Sequence, residues 1–573
     1  MAETNSAKPL KLINSVDPRL DALDFVQKEN VWSVFKGCEG SNSVAQQSNS
    51  YGTSNISWNF NTQSENVLID RRMYARVQFQ MTFVGTAPLG QPLLATEADA
   101  PRCFPLSAVT QSLKVTINGS SVETQYADAL QALLRYDLPD HLKDADLSMS
   151  PNAQDCYQRY VDGVGSVRNP LSNWQNSGDQ LGRGAWSYDF VSNPLSADAA
   201  ITPITAVVRF TVTEPLFISP MLYSSQHLEA GLIGVKNMGV SFNFASGQLE
   251  RIWSRAPSGG VTITSATAAI GSGTTTPPQL LVNYLTPPLI SQSQIPRSVN
   301  YQYSKCETFV NDMATTLASD ATQRFTNNAI QLSAVPKCIY IYASRPNSSK
   351  TYLTTDTFHQ LSNLSLNYLN VSGQFSSMTL QDLYQMCVKN GCNLSWLEWS
   401  GKTQSIGESR GGLTGCDGMT GSVIKIDVSD LHIPSNVASG MNVNSQLSFA
   451  VDVKNCNTQA GDPAVGVQLV TCLVYDGLMT IQNGSMSTQI GVISQSDVTS
   501  VRADRSNYMS ARENENMTGG NLFGKMGHYA SVAKKGLDAI CSAKKAIGGE
   551  LVNKKQMGGA LLTRDELKSR LFE

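Results

Sequence analysis

The chain has 573 residues, too many for one hydrophobic core, so two or three domains are expected. Hydrophobic residues make up 41% and charged residues only 16%, with Ser, Thr, Asn, Gln and Gly abundant, which argues for strands joined by long polar loops and against helical bundles. The net charge of −3 divides unevenly: from Asn521 onward ten Lys and Arg face five Asp and Glu, so the tail carries +5 and the body −8, which excludes a body that grips nucleic acid by bulk charge.

Residues 1–30 open with polar residues and then a short amphipathic piece at Leu20, Leu23 and Phe25, and read as an N-terminal arm. Strands follow at Val31–Phe35 and Ile56–Phe60. The clearest β pattern comes next, where Ala75, Val77, Phe79, Met81 and Phe83 alternate with Arg76, Gln78, Gln80 and Thr82. Val115 and Ile117 then lead through Asn118-Gly119, a hairpin-type turn, to Tyr126, Leu130, Leu133 and Leu134 at helical spacing. A long polar stretch, roughly 139–203, has little periodicity. Order returns at Val207–Val212, at the proline-bounded segment Pro215–Pro220, and at Val235, Met238, Val240, Phe242 and Phe244. The Gly/Ser/Thr-rich stretch 258–276 is the best linker candidate.

The second half repeats the order of events. Strands are expected at Leu280–Leu285, Tyr301–Tyr303 and Cys338–Ala343. Leu364, Leu366 and Tyr368 then run to a polar turn at Ser372-Gly373, followed by a helical stripe of Leu380, Leu383, Tyr384, Cys387 and Val388, with Thr379 suited to cap it and Asn390-Gly391 to end it. After an irregular stretch at 392–421, Val423–Val428 echoes Val207–Val212, and Leu447, Phe449, Val451 and Val453 echo the earlier closing strand. The fold class expected is all-β: two tandem antiparallel jelly rolls, a short helix in a loop of each, and a C-terminal basic amphipathic helical tail. The boundaries are 1–30 for the arm, 31–255 and 278–510 for the jelly rolls, 256–277 for the linker, and 511–573 for a second linker and the tail. Both helices should close equivalent corners of their jelly rolls.

Catalytic chemistry finds little support. The five histidines stand far apart with no HxH, HExxH or HxxxH spacing, and no Gly-x-Ser-x-Gly elbow occurs. Asp427, Asp430, Asp452 and Asp476 would form a glycosidase pair only if the fold joined two of them. The eleven cysteines contain no CxxC pair, and no leader-like apolar stretch opens the chain, so reduced buried thiols are expected; Cys387 and Cys392 flank a helix end without a His partner. Gly519 to Lys525 matches the phosphate-loop spacing, but Met526 stands where a hydroxyl should hold magnesium and no buried strand precedes it. No metal and no cofactor is expected.

The same residues have another reading. Met517-Thr518-Gly519-Gly520 before Asn521 resembles the Met/Ile/Leu-x-Gly-Gly cleavage signal of adenovirus-type maturation proteases, and it sits in a polar segment between the acidic body and the basic tail, where proteases cut; a plain flexible linker is the alternative. Downstream, Met526, Ala530, Ala533, Leu537 and Ile540 make an apolar helical stripe flanked by Lys534, Lys535, Lys544 and Lys545, suited to a membrane surface, nucleic acid or an acidic partner, or to packing on its own protein.

The run Ala129–Tyr136, the segment Glu214–Phe217, the segment Ile330–Pro336 and the run Asp382–Gly391, in that order within two tandem jelly rolls, resemble the double jelly-roll major capsid proteins of virophages and polinton-like or adintovirus-like viruses over about residues 15 to 500. The resemblance implies a non-enzymatic homotrimer whose six upright walls form a pseudo-hexamer in an icosahedral shell around double-stranded DNA. It further implies neighbouring capsomers, penton and minor capsid proteins as partners, a viral maturation cysteine protease acting on the tail, tail contact with DNA or membrane, and a place in the virion after assembly inside the host cell. The rival reading is a secreted two-domain jelly-roll protein that binds or hydrolyses glycans.

Overall fold

The computed structural model describes residues 40–491 apart from 63, 65–66, 96–98, 103, 137–187, 199–201, 222–230, 256–259, 271–275, 287–297, 393, 402–404, 411–412, 417–420, 434–436, 438, 457–463 and 483. The expected arm, the strand at Val31–Phe35 and the whole tail lie outside the described residues.

Strands are numbered in chain order. One sheet holds β1 (Gly40–Gln47), β4 (Leu68–Ile69), β5 (Tyr74–Thr86), β9 (Tyr188–Ser192), β10 (Ile204–Pro215), β13 (Thr262–Ile270) and β14 (Gln279–Thr286), ordered β1-β14-β5-β10-β9 with β13 also on β5 and β4 on β14. Facing it are β2 (Ser50–Tyr51), β3 (Asn55–Asn61), β7 (Thr110–Ile117), β8 (Ser120–Gln125) and β11 (Asn237–Phe244), ordered β2-β3-β11-β7-β8. In the second half, β15 (Ser298–Leu317), β18 (Cys338–Ser344), β23 (Val423–Asp427), β25 (Val465–Gln482) and β26 (Ser485–Ile490) run β15-β25-β18-β23 with β26 on β25. Its partner sheet has β16 (Thr322–Thr326), β17 (Ile330–Ala334), β19 (Gln360–Tyr368), β20 (Val371–Gln374) and β24 (Asn442–Lys454), ordered β16-β24-β19-β20 with β17 on β24. Two small ladders pair β6 (Asp99–Pro101) with β12 (Trp253–Arg255) and β21 (Ser405–Arg410) with β22 (Leu413–Cys416).

The topology is the same in both halves. Taking the principal strands as β1, β3, β5, β7, β8, β10, β11 and β14, and then as β15, β16 with β17, β18, β19, β20, β23, β24 and β25, each half has one sheet ordered first-eighth-third-sixth and a second ordered second-seventh-fourth-fifth. That is a jelly roll, and the chain contains two. The echo of Val207–Val212 in the region from Val423 has a structural basis, since both lie on sixth strands.

Period-two alternation explains the first core. In β5 the side chains of Ala75, Val77, Phe79, Met81 and Phe83 are buried, β10 places Phe210 opposite Phe79 with ring centroids 5.7 Å apart, and Trp58, Val115, Val240 and Phe242 meet them from the facing sheet. Each such burial contributes about 1.5–3 kcal/mol.

Three expectations are corrected. The stretch expected as a linker contains β13, whose Thr- and Ala-rich residues pair with β5 from Phe79 to Thr86. Leu280–Leu285, assigned to the second jelly roll, is the eighth strand of the first, paired to β1 and β5, so the first sheet extends well past residue 255. The strand, turn and helix that recur in the two halves are in fact strand-turn-strand-helix, and the second turn sits at Leu369-Asn370 rather than Ser372-Gly373. There Tyr368 pairs with Val371, as Ile117 pairs with Ser120 around Asn118-Gly119, and the four turn residues have φ values of 50°, 63°, 50° and 84°. Two positive φ angles define the tight hairpin turn that matches strand twist, so both copies use the same device although only one has the Asn-Gly signature.

Candidate assembly interface

Helices α1 (Pro105–Val109), α2 (Tyr126–Tyr136), α3 (Leu380–Lys389) and α4 (Trp396–Ser400) decorate the two jelly rolls. The duplicated helices are α2 and α3, each following the fifth strand. As expected from the sequence, Thr379 caps α3: its hydroxyl accepts from the Asp382 amide and the Asp382 carboxylate accepts from the Thr379 amide, while Gly391 ends the helix at φ 96°.

The two helices are not used alike. On α2, Tyr126 and Leu130 enter the first core, while Ala129, Ala132, Leu133 and Tyr136, on the adjacent arc, enter the second. Thus α2 does not merely close a corner, as expected, but is shared between both jelly rolls. Its Tyr136 hydroxyl donates to the Val423 carbonyl, its ring lies 5.6 Å from Tyr340, and Lys425 Nζ sits 5.6 Å from its centroid, a cation over an aromatic face. Tyr342 donates to the Asp128 carbonyl, and Asn347 Nδ2 donates to Asp128 Oδ1 at 2.8 Å. In return Val299, Tyr301, Tyr303, Met479, Ile481 and Met486 of the second jelly roll join the first core.

A buried ionic cluster locks the same seam. Arg102 precedes α1, Arg251 lies in the short helical turn before β12, and Asp356 lies in the connection between β18 and β19. Asp356 accepts from Arg102 Nη1 at 2.9 Å and from Arg251 Nη2 at 2.6 Å. Arg102 also donates to the carbonyls of Arg251 and Thr354 at 2.7 and 2.8 Å, so its charge is distributed over fixed acceptors. Beside it Lys350 Nζ donates to Asn347 Oδ1 at 2.8 Å; burial and the Arg251 charge lower this ammonium to about 8, while burial raises the Asp128 carboxyl above its ordinary value. Nearby, Arg255 Nη1 donates to both Asp99 oxygens at 2.9 Å, and the Arg255 amide donates to the Tyr352 carbonyl. Arg102, Arg251 and Asp356 carry no local sequence signal, because their ionic partners lie on the other jelly roll.

Of the four acids considered for glycoside chemistry, the fold brings Asp427 and Asp430 together, but as a reciprocal cap in which each carboxylate accepts from the other's backbone amide, while Asp452 and Asp476 stand elsewhere with other partners. Asp430 accepts from Lys389, Asn390 and the Asp427 amide, Asp452 from Arg324 and Asn363, and Asp476 from Ser304. Cys387 is buried beside Tyr136, and burial pushes its thiol up to about 12. Among the described residues no group of three or more His, Cys, Asp and Glu could hold a metal ion, and no helix is long and apolar enough to cross a membrane. The candidate cleavage residues Met517, Gly519, Gly520 and Asn521, and the tail stripe from Met526 to Lys545, lie outside the described residues.

Two complete jelly rolls fused through a shared helix and a buried ionic seam make this a double jelly-roll protein of the kind that builds virus shells. Residues 17–285 match the family model for the Sputnik virophage major capsid protein first domain, and residues 303–477 match that for the major capsid protein V20 C-terminal domain. The chain belongs to the virophage major capsid protein family and is a capsid protein of an icosahedral virus. It is 29% identical over 553 residues to the Sputnik virophage protein named as capsid protein V20, covering 92% of this chain and 88% of that one. The capsid chain in the cryo-EM structure of the Sputnik virophage superposes with a TM-score of 0.72 at 29% identity, over 84% of this chain and 94% of that chain. The mavirus major capsid protein shares the fold, with a TM-score of 0.65 at 16% identity over 84% and 95% of the two chains.

Proposed function

We propose that this chain is the principal, non-enzymatic building block of its shell, and that three copies close into a ring with six nearly equivalent walls. The observation that carries this reading is the duplication: two jelly rolls of identical strand order, held rigidly side by side by α2 and by Arg102, Arg251 and Asp356. A duplicated module fills a six-fold lattice position with three chains, because a head-to-tail contact generates a closed ring when its rotation closes. Neighbouring rings, penton and minor capsid proteins complete a shell around double-stranded DNA, assembled in the host cell. The module boundary is proposed between Thr286 and Ser298, where the last strand of one sheet ends and the first of the next begins.

The tail from residue 511 is proposed to face the interior, with cleavage after Gly520 by a viral cysteine protease and Lys534, Lys535, Lys544 and Lys545 directed at DNA or membrane; its charge of opposite sign to the body supports this reading. Light scattering or native mass spectrometry of the purified full-length chain tests the ring. Three times 62.0 kDa, about 186 kDa, is expected, and a stable 62.0 kDa species overturns it.

A further inference from the structure

The connection from β18 to β19 holds a lysine and an asparagine that line up with a carboxyl group from across the seam. Lys350 Nζ donates to Asn347 Oδ1 at 2.8 Å, and Asn347 Nδ2 donates to Asp128 Oδ1 at 2.8 Å. Asn347 opens a short helical turn, Asn347–Ser349, and residues three apart in such a turn lie over one another, which brings the Lys350 side chain back onto the carboxamide. The first jelly roll fixes this turn from its own side, because Gln248 Nε2 donates to the Asn347 carbonyl. Asp128, 219 residues away in sequence, is fixed in turn by the second, since its backbone carbonyl accepts from the Tyr342 hydroxyl and the Cys472 thiol.

The surroundings favour the reactive form of each group. A lysine attacks only as the free amine, and Lys350 is 8% exposed. Burial, with the Arg251 and Arg102 charges adding to it and Asp356 and Asp128 opposing, lowers its ammonium to about 8, so about a tenth of it is neutral at pH 7. Burial likewise raises the Asp128 carboxyl, with Asp312 adding to it and Lys350 and Asn347 opposing, so this group takes up and returns a proton more readily than an exposed carboxylate.

We infer that Lys350 and Asn347 join through an isopeptide bond, in a single reaction of the chain on itself for which Asp128 carries the proton. The Nζ lone pair attacks Asn347 Cγ, one bond beyond the oxygen that Nζ now faces; the Nζ–Cγ bond forms as the carbonyl electron pair moves to Oδ1. Asp128 accepts a proton from Nζ and delivers one to Nδ2. The Cγ–Nδ2 bond then breaks with its electron pair on nitrogen, and the carbonyl re-forms. An amine and a primary amide become a secondary amide and ammonia, with no change of oxidation state and no cofactor. Holding amine and amide in contact supplies the effective concentration that the uncatalysed reaction lacks. Asn347 is half-buried, which leaves the ammonia a way out. The proton carrier belongs to the first jelly roll and the reacting pair to the second, so the bond forms only after the two have docked. Once formed, it braces the turn six residues before Asp356, in the connection that receives Arg102 and Arg251.

Mass spectrometry of the purified full-length chain tests this. The wild-type chain is expected to be lighter than its sequence by one ammonia, and trypsin is expected to leave the bond after Lys350 uncut, giving a peptide in which Asn347 and Lys350 are joined. Lys350→Arg, which keeps the charge, and Asp128→Asn, which keeps the side-chain shape but cannot relay the proton, are each expected to retain the full mass. Wild-type protein at its full sequence mass, cut normally after Lys350, overturns the inference whether or not either variant folds. So does an ammonia loss that persists in Lys350→Arg, the mark of a cyclic imide at Asn347-Ser348. A joined peptide in Asp128→Asn overturns the part assigned to Asp128.

Discussion

Arg102 and Asp356 are separated by 254 residues in sequence and by 2.9 Å between Nη1 and Oδ2, with the guanidinium entirely buried. The pair joins a segment just before α1 of one jelly roll to a connection of the other. Asp356→Ala leaves Arg102 and Arg251 sharing a buried site without their carboxylate, and is expected to lower unfolding stability by about 3–5 kcal/mol in urea titrations. Replacing the pair together, Arg102→Met with Asp356→Leu, is expected to cost less than the sum of the single changes, because a double-mutant cycle registers the coupling.

Two buried titratable groups oppose one another in their effect on stability. Burial raises the Glu214 carboxyl to about 7, against the Leu106 and Ser107 amides and the Ser107 hydroxyl, which favour the anion. The folded chain therefore keeps a proton that the unfolded chain releases above its usual 4.5, and stability falls as pH rises through that window. His359 runs the other way: burial and the Arg345 charge lower it from 6.5 to about 4, so stability falls as pH drops between those values. Each contribution, integrated over its whole window, amounts to about 3 kcal/mol. Wild type is expected to be nearly flat from about pH 4.5 to 6.5 in these two contributions. Glu214→Gln should become less stable on acidification and His359→Gln more stable, as read from urea midpoints across that range.

Gly421 holds φ at 88° just before β23, and a Cβ there would lie 2.0 Å from the Phe358 carbonyl oxygen. Gly421→Ala must displace backbone, and a loss of about 3 kcal/mol or more is expected. Gly52→Ala, with nothing within 4 Å of the added atom, should stay within about 0.5 kcal/mol of wild type. Paired thermal melts of the two variants separate local collision from any general effect of replacing glycine.

For the tail, intact mass of the protein extracted from mature particles should correspond to residues ending at Gly520. Gly520→Val should block that loss, since the Met/Ile/Leu-x-Gly-Gly signal that Met517 to Gly520 resembles has glycine beside the scissile bond. Full-length chains in mature wild-type particles would overturn the cleavage proposal.

The duplicated jelly rolls were legible because their marks are local: alternation in β5, Asn118-Gly119, Thr379 with Asp382, and the paired valine-rich sixth strands. Where the marks failed, a local rule was overridden. Leu369 occupies a positive-φ turn position and packs partly against the second core, so it reads as strand. Thr262–Ile270 looks like a linker because Ser, Thr and Ala fill it, yet pairing with β5 makes it a strand. Leu280–Leu285 reads equally well as an end or a beginning, since a strand's own pattern does not name its sheet. The ionic seam was invisible for a related reason: Arg102 and Asp356 meet only after both jelly rolls exist.

That dependence bears on how the chain is made. The ribosome releases α2 long before β18, β23 and β25, which cover its second arc, and at about 5–20 residues per second the interval is on the order of tens of seconds. During it the nascent first jelly roll carries Ala129, Ala132, Leu133 and Tyr136 with their destination not yet synthesised. Premature association of half-made chains through that strip, rather than slow strand pairing, is the hazard that synthesis has to avoid, and a chain stalled before residue 423 should be the species most readily held by chaperones.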